Sequence, residues 1–274
     1  MSESRPRKSL LVCTLPRSGS WLLAEYLHNT GYVGSPEEYF RPDFMSWYLS
    51  EWHGPPKASF DEYLIMCFRA TTTENGIFSA KVHWYQMAWL VSQLRSTGNA
   101  AESPHSLVER AFPNVHYVHL VRTDTVRQAL SWYRAIETNE WFRLATEGTS
   151  SEERSEFPDF QQVRWLEDLI LEHQQMWCDY FRPVNASQLE VDFDDFVRRP
   201  EVTVRNVMRF VGADYPSGVP IPRGAMLRQS DARTEVWAQA YRQVRDGLAP
   251  KDSDVSWSAV ENRFVQKTAS GERR

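Results

Sequence analysis

The chain has 274 residues, 42% of them hydrophobic, which is enough for one large α/β domain or two smaller ones around a buried core. A net charge of −5 argues against bulk binding of nucleic acid, and no apolar stretch approaches the roughly 20 residues that span a membrane. The three cysteines lack the spacing of a metal site, and the polar residues 1–8 carry no secretory signal. We therefore expect a cytoplasmic protein that holds no metal.

Predicted strands and helices alternate along the chain. The apolar run 9–14 predicts a buried parallel strand, and residues 21–27 have the apolar spacing of a helix. Further strands are predicted at 76–82, 115–122 and 188–191, and further helices at 59–70, 86–94, 124–142, 160–181, 200–212 and 232–244. A mobile connection is expected at 146–156. This order predicts one domain over residues 1–274, with three α/β/α layers and a central parallel sheet.

The turn between the first strand and the first helix combines a cation, a glycine and small hydroxyl residues. Its sequence is Pro16-Arg17-Ser18-Gly19-Ser20. Backbone N–H groups at the helix start and a positive side chain can converge on one phosphate. The turn is not a Walker A loop, which requires Gly-Lys followed by Ser or Thr. The alternative is a tight turn with Arg17 in a surface ion pair.

A second anion site is predicted after the third strand. Arg122 ends that strand, and Ser131 lies nine residues later in the following helix. An Arg at the carboxyl end of a strand points into the crevice where α/β proteins bind ligands, and a Ser about two turns into the helix can reach the same crevice. Together they can hold a second phosphate. The alternative is an ion pair of Arg122 with Asp124.

These motifs resemble known phosphate sites. The 16–20 loop and the Arg122–Ser131 spacing resemble the 5′-phosphosulfate and 3′-phosphate sites of sulfotransferases that use 3′-phosphoadenosine 5′-phosphosulfate (PAPS). With further segments, the pattern from about residue 9 to 245 resembles the mycobacterial trehalose 2-sulfotransferase family. Those segments are 36–40, 80–84, 122–134, 228–231 and Trp237.

The resemblance implies a P-loop-like sulfotransferase fold and a homodimer. It also implies transfer of a sulfuryl group from PAPS to a hydroxyl of a carbohydrate or glycoconjugate, such as a trehalose-like sugar. The other product is 3′-phosphoadenosine 5′-phosphate (PAP). No metal is required for that reaction.

The resemblance assigns Glu38 as the general base, because it precedes the aromatic pair Tyr39-Phe40. A sugar hydroxyl must lose its proton as it attacks sulfur, and a carboxylate within ~3 Å can accept that proton. Glu37 is the competing carboxylate, and two surface acids at a helix start are the structural alternative. We assign Glu37, Glu38 and Trp84 to the acceptor site.

Further cations are expected around the transferred group. Arg17 and the N–H groups of residues 18–20 can stabilise the charge that grows on the leaving oxygen. Lys81, on the second strand, can enter the same crevice. His83 either touches the acceptor or the sulfuryl group or is a hydrogen-bonded structural residue, a choice that stays open. Arg228 and Arg233 can close over the 3′-phosphate, or form a solvated basic turn.

One position departs from the family pattern. Trp21 stands where the family usually has Thr, so a hydroxyl that could bond the 5′-phosphate is absent. Trp21 then either stacks on a ring of the donor or packs against the sheet.

Two other functions stay open: a nucleotide-dependent phosphotransferase with a degenerate P-loop, which needs Mg²⁺, and a non-catalytic module that binds PAP or sulfated glycans. Trp21 favours the module and Glu38 argues against it.

Overall fold

The structure, a computed structural model, describes residues 5–96, 101–141, 157–182, 188–224 and 232–247. The chain divides into two compact units, which are described separately below. The first unit consists of Met1–Arg122 and Gln174–Gly224, and the second of Thr123–His173 and Ala225–Arg274. The predicted connection at 146–156 lies outside the described residues.

A four-stranded parallel sheet forms the centre of the first unit. Its strands are β1 (Lys8–Thr14), β2 (Ile77–His83), β3 (Val115–Val121) and β4 (Gln188–Asp192), in the order β2-β1-β3-β4. The predicted parallel sheet is therefore confirmed, and all four strands overlap the predicted runs. The register pairs Thr14 at the end of β1 with His83 at the end of β2, so both strands lead into the same edge of the sheet.

The helices of the described residues follow the strands in alternation. In chain order they are α1 (Ser20–Thr30), α2 (Pro42–Glu51), α3 (Phe60–Thr71), α4 (Trp84–Ser96), α5 (Pro104–Ala111), α6 (Thr125–Thr138), α7 (Phe160–Phe181), α8 (Phe193–Arg198), α9 (Pro200–Val211) and α10 (Ala232–Val244). A short 3₁₀ helix, Arg245–Gly247, follows α10. None of the described helices is both long and apolar enough to cross a membrane.

Successive residues of the central strands face opposite sides of the sheet, and apolar side chains cover both sides. On one side, Leu10 and Val12 belong to a buried cluster with residues of α1 and α9, among them Leu23 and Val207. On the other side, Tyr117 contacts the aromatic rings at the carboxyl end of α7. Helices thus pack on both faces of the sheet, which confirms the predicted α/β/α layers.

Several helix boundaries differ from the prediction. α6 ends at Thr138 rather than near 142, because Asn139 takes the left-handed conformation with φ 59°. The sequence reasoning also missed α2, α5 and α8. Two of them begin after a residue whose side chain accepts a hydrogen bond from the first turn, Ser103 for α5 and Asp192 for α8. Such caps are short local signals that carry no periodicity.

Polar contacts of two acidic side chains, Asp124 and Glu167, hold the second unit together. Asp124 caps α6 as predicted, accepting from the Arg127 backbone N–H at 3.0 Å, and also binds Arg242. The buried Glu167 of α7 accepts from the Tyr241 hydroxyl at 2.8 Å and from the Thr125 hydroxyl at 2.9 Å. These contacts tie α6, α7 and α10 together.

Candidate active site

The 16–20 loop is held rigidly by its own hydroxyl groups. Thr14 and Ser18 share a hydrogen bond between their side-chain oxygens, and the Ser18 hydroxyl donates to the Leu15 carbonyl at 2.8 Å. Arg17 and Gly19 both have positive φ, 64° and 82°. No side chain caps the start of α1. The loop therefore has the form of a strand-to-helix turn with N–H groups at the helix start, as an anion cradle requires.

Phe193 leaves no room for a side chain at Gly19. A Cβ built there would lie 2.4 Å from the Phe193 ring. The guanidinium of Arg122 lies over the same ring, 4.7 Å from its centroid, and donates to the Arg17 carbonyl at 3.1 Å. The sequence reasoning missed Phe193, although its place directly after β4 puts it at the ligand-binding edge of a parallel sheet.

The segment that carries Glu38 lies along the outer side of β2, the edge strand of the sheet. Glu37 forms a parallel bridge with Ala80, and the Lys81 backbone N–H donates to the Glu37 carbonyl at 2.9 Å. Tyr39 packs against Phe78, and the Tyr63 hydroxyl donates to the Tyr39 carbonyl at 2.6 Å. Glu38 is consequently only 5% exposed, so it is not a surface acid at a helix start. Glu37 is half-buried.

Three side chains surround the Glu38 carboxylate. Lys81 Nζ lies 3.0 Å from Oε1, and His83 Nε2 lies 3.4 Å from the same oxygen. Gln86 Nε2 donates to Oε2 at 2.8 Å. All four side chains are buried, so the site is a desolvated polar cluster at the carboxyl end of β2. The sequence prediction brought Glu38, Lys81 and His83 to one site, and the structure places them in contact.

Burial by itself raises the pKa of Glu38, but neighbouring side chains outweigh that effect and hold the pKa well below its usual value. The charge of Lys81 acts most strongly, followed by His83 and Arg41. The carboxylate is therefore ionised at neutral pH. An ionised, partly desolvated carboxylate is the form that can accept a proton.

Trp21 packs on Lys81. The ammonium nitrogen lies 3.3 Å from the centroid of the Trp21 ring, a close cation–π contact, and Lys81 is 0% exposed. The residue that departs from the family pattern thus covers the cation that pairs with Glu38. This contact packs Trp21 on a side chain of β2, and stacking of the ring on the donor stays a prediction.

Four other predicted site residues are Trp84, Ser131, Arg228 and Arg233. Trp84 packs its ring edge-on against Trp177, at 5.0 Å between centroids. Ser131 lies in α6 of the second unit, and Arg233 lies in α10 with its guanidinium 6.0 Å from the Trp237 ring. Arg228 lies outside the described residues. The roles assigned to these four side chains stay predictions.

Comparison with known proteins decides the family. The family model of the Stf0 sulphotransferases matches residues 9–244. This chain belongs to that family. It is similar to the trehalose 2-sulfotransferase of Mycolicibacterium smegmatis, with 27% identity over 270 aligned positions that cover 87% of this chain and 96% of the relative. It is also similar to the trehalose 2-sulfotransferase of Mycobacterium tuberculosis, with 23% identity and the same coverage.

Among solved structures, the sulfotransferase domain of the Synechococcus PCC 7002 olefin synthase matches with a TM-score of 0.49 and 16% identity, covering 100% of this chain and 98% of that one. The family membership makes this protein a sulfotransferase. Within the part of the chain that the structure describes, no group of three or more His, Cys, Asp or Glu side chains is arranged to hold a metal ion.

Proposed function

We propose that this sulfotransferase moves a sulfuryl group from PAPS to a carbohydrate hydroxyl and that Glu38 is its general base. The observation that carries the proposal is the buried Glu38 carboxylate, held by Lys81 at the edge of the sheet where β1 leads into the 16–20 loop. The names of the two curated relatives, both trehalose 2-sulfotransferases, support a sugar acceptor. Trehalose is therefore the first acceptor to test.

In the proposed reaction, the acceptor oxygen attacks the sulfur of PAPS as the bond from sulfur to the bridging phosphate oxygen breaks. PAP leaves with that electron pair, and Glu38 takes the proton of the acceptor hydroxyl, which contributes about 10²–10⁴-fold to the rate. Arg17 and the N–H groups of residues 18–20 stabilise the charge on the leaving oxygen. Arg122 binds the 3′-phosphate.

A second assignment of the base has an observation of its own. His83 Nε2 lies 3.4 Å from Glu38 Oε1, and within the described structure the buried Nδ1 of His83 has no hydrogen-bond partner. In that arrangement His83 Nδ1 takes the proton, and Glu38 orients the imidazole, as the carboxylate of a catalytic triad does.

The pH profile separates the two assignments. With Glu38 as base, the acid limb of kcat/KM lies below the ordinary range of a glutamate carboxyl, because the pKa of Glu38 is lowered. An acid limb well above the usual range of a carboxyl group would argue against Glu38 as the base and for the second assignment.

The donor is tested by thermal shift with PAP, adenosine 5′-phosphosulfate and Mg²⁺–ATP. A ligand that binds only the native state at a hundredfold its Kd stabilises the protein by about 2.7 kcal/mol. We expect a large shift with PAP. Stabilisation by Mg²⁺–ATP and not by PAP would support the phosphotransferase instead.

The base is tested with Glu38→Gln, using PAPS and trehalose. We expect the variant to bind PAP as the wild type does and to lose transfer by at least about 10²-fold. Retained turnover would reject Glu38 as the base. Binding of PAP by the wild type without transfer to any sugar would support the binding module.

The homodimer also stays a proposal. Exposed aromatic side chains suit an interface, and Trp47 is 41% exposed and Phe157 59% exposed. Light scattering of the purified protein tests it, and a monomer at micromolar concentration would reject it.

A further inference from the structure

Gln86 begins the helix that follows β2. It is the third residue of α4, and its Oε1 accepts a hydrogen bond from the backbone N–H of His83, the residue before the helix, at 3.0 Å. This is the second half of a capping box, in which the side chain of the third helical residue reaches back to the N-cap N–H. Either Glu or Gln can supply that acceptor.

The cap fixes which way the Gln86 amide points. Because Oε1 is committed to the His83 N–H, the NH₂ group must face the other way. There it donates to Glu38 Oε2 at 2.8 Å and lies 2.9 Å from the Tyr85 hydroxyl. Gln86 is 0% exposed, so solvent does not compete for these contacts. Glu would serve the cap equally well, but only Gln also provides the donor to Glu38.

The contacts of Glu38 leave room for one proton. A carboxylate has about four lone-pair positions. Lys81 and His83 face Oε1, and Gln86 occupies one position on Oε2. One position on Oε2 therefore stays available among the described contacts, and the Gln86 bond determines where it points.

We propose that Gln86 is a positioning residue, which orients Glu38 Oε2 for proton transfer through a hydrogen bond that the α4 cap aligns. The inference rests on the proposed function, since it takes Glu38 as the base. Gln86 itself need not touch either substrate. The charged or titratable groups that face Glu38 are Lys81, Arg41, His83 and Tyr85, and burial keeps Tyr85 neutral by raising its pKa well above the usual value.

The decisive variant is Gln86→Glu, which has nearly the same shape and keeps the acceptor for the His83 N–H. It removes the donor and places a second carboxylate beside Glu38, and both changes raise the pKa of Glu38. We expect the acid limb of kcat/KM to move up by about one pH unit or more. KM for PAPS and the affinity for PAP should not change.

Two further variants separate positioning from folding. Gln86→Met removes both hydrogen bonds and should lower kcat and thermal stability together. Gln93→Met makes the same change two turns later on α4 and should leave kcat unchanged. Gln93 is half-buried, and its side-chain amide lies 3.5 Å from the Ser92 hydroxyl. The double variant Glu38→Gln with Gln86→Glu swaps the amide and the carboxylate, so a hydrogen bond between them can form again. Stability should therefore recover, while sulfuryl transfer stays lost.

Different results overturn the two proposals. If Glu38→Gln is inactive but Gln86→Glu and Gln86→Met show the wild-type kcat and acid limb, Gln86 has no positioning role and the proposed base stands. If Glu38→Gln keeps its turnover, the proposed base is wrong, and the role of Gln86 fails with it. A purely structural Gln86 would lower stability without moving the acid limb.

Discussion

The buried pair of Glu38 and Lys81 makes a sharp prediction about stability. Lys81→Met removes the ammonium group that lies 3.0 Å from Glu38 Oε1 and keeps an unbranched apolar chain beneath the Trp21 ring. The variant leaves a carboxylate that is 5% exposed without its strongest counter-charge. Breaking a buried pair in this way costs about 3–5 kcal/mol, because an uncompensated charge stays in a medium of low polarity.

A second single variant and the double variant complete a double-mutant cycle. Glu38→Gln strands the Lys81 ammonium in the same environment, so we expect a loss of similar size. Lys81→Met combined with Glu38→Gln removes both charges together. Replacing a whole buried pair by uncharged groups is often neutral or stabilising, so the double variant should be more stable than either single one.

The pH dependence of stability in the same variants tests whether the pKa of Glu38 is lowered in the folded protein. The pKa of Glu38 is lowered in the folded state, so its contribution to stability is fully present above the unfolded pKa and is lost as the pH falls through the folded one. Wild type should therefore lose stability as the pH falls below about 4.3, the ordinary pKa of a glutamate carboxyl. Lys81→Met, in which the pKa of Glu38 is higher, should show a weaker acid dependence.

Urea unfolding at pH 7 and pH 4 provides the free energies of unfolding for the four proteins. The slope m should stay constant across them, which excludes changes in the denatured state. If Lys81→Met costs less than about 1 kcal/mol at pH 7, the range of exposed ion pairs, the pair is not desolvated and the reasoning fails.

Three other predictions concern the loop and its neighbours. Gly19→Ala should destabilise the protein by about 1–3 kcal/mol and weaken PAP binding, because φ is positive there and the added Cβ meets the Phe193 ring. Calorimetry with and without PAP measures both effects, and wild-type stability and affinity would contradict the tight packing. Arg122→Ala should weaken the affinity for PAP much more than that for adenosine 5′-phosphosulfate, which lacks a 3′-phosphate, and equal losses in titration calorimetry would reject the assignment. Trp21→Leu should destabilise the protein by about 2 kcal/mol through loss of the contact over Lys81, and a Lys81→Met background should reduce that loss to the difference in apolar packing.

Local sequence patterns predicted the scaffold of this protein. The apolar run 9–14 predicted β1 because a strand covered on both faces is apolar throughout, and the periodicity of 160–181 predicted α7. The loop at 16–20 and the carboxylate at Glu38 were recognised from motifs of a few residues. Each of these signals lies within one short segment, where chain geometry alone relates spacing to structure.

The contacts within the site came only from the tertiary structure. Parallel pairing of β1 with β2 brings Lys81 beneath Trp21, and the bridge from Glu37 to Ala80 brings Glu38 to Gln86, 48 positions along the chain. Local periodicity carries no information about such pairs, because strand register and the docking of one segment on another determine them. The sequence by itself determined which residues could perform the chemistry, and the fold decided which charges and hydrogen bonds they meet.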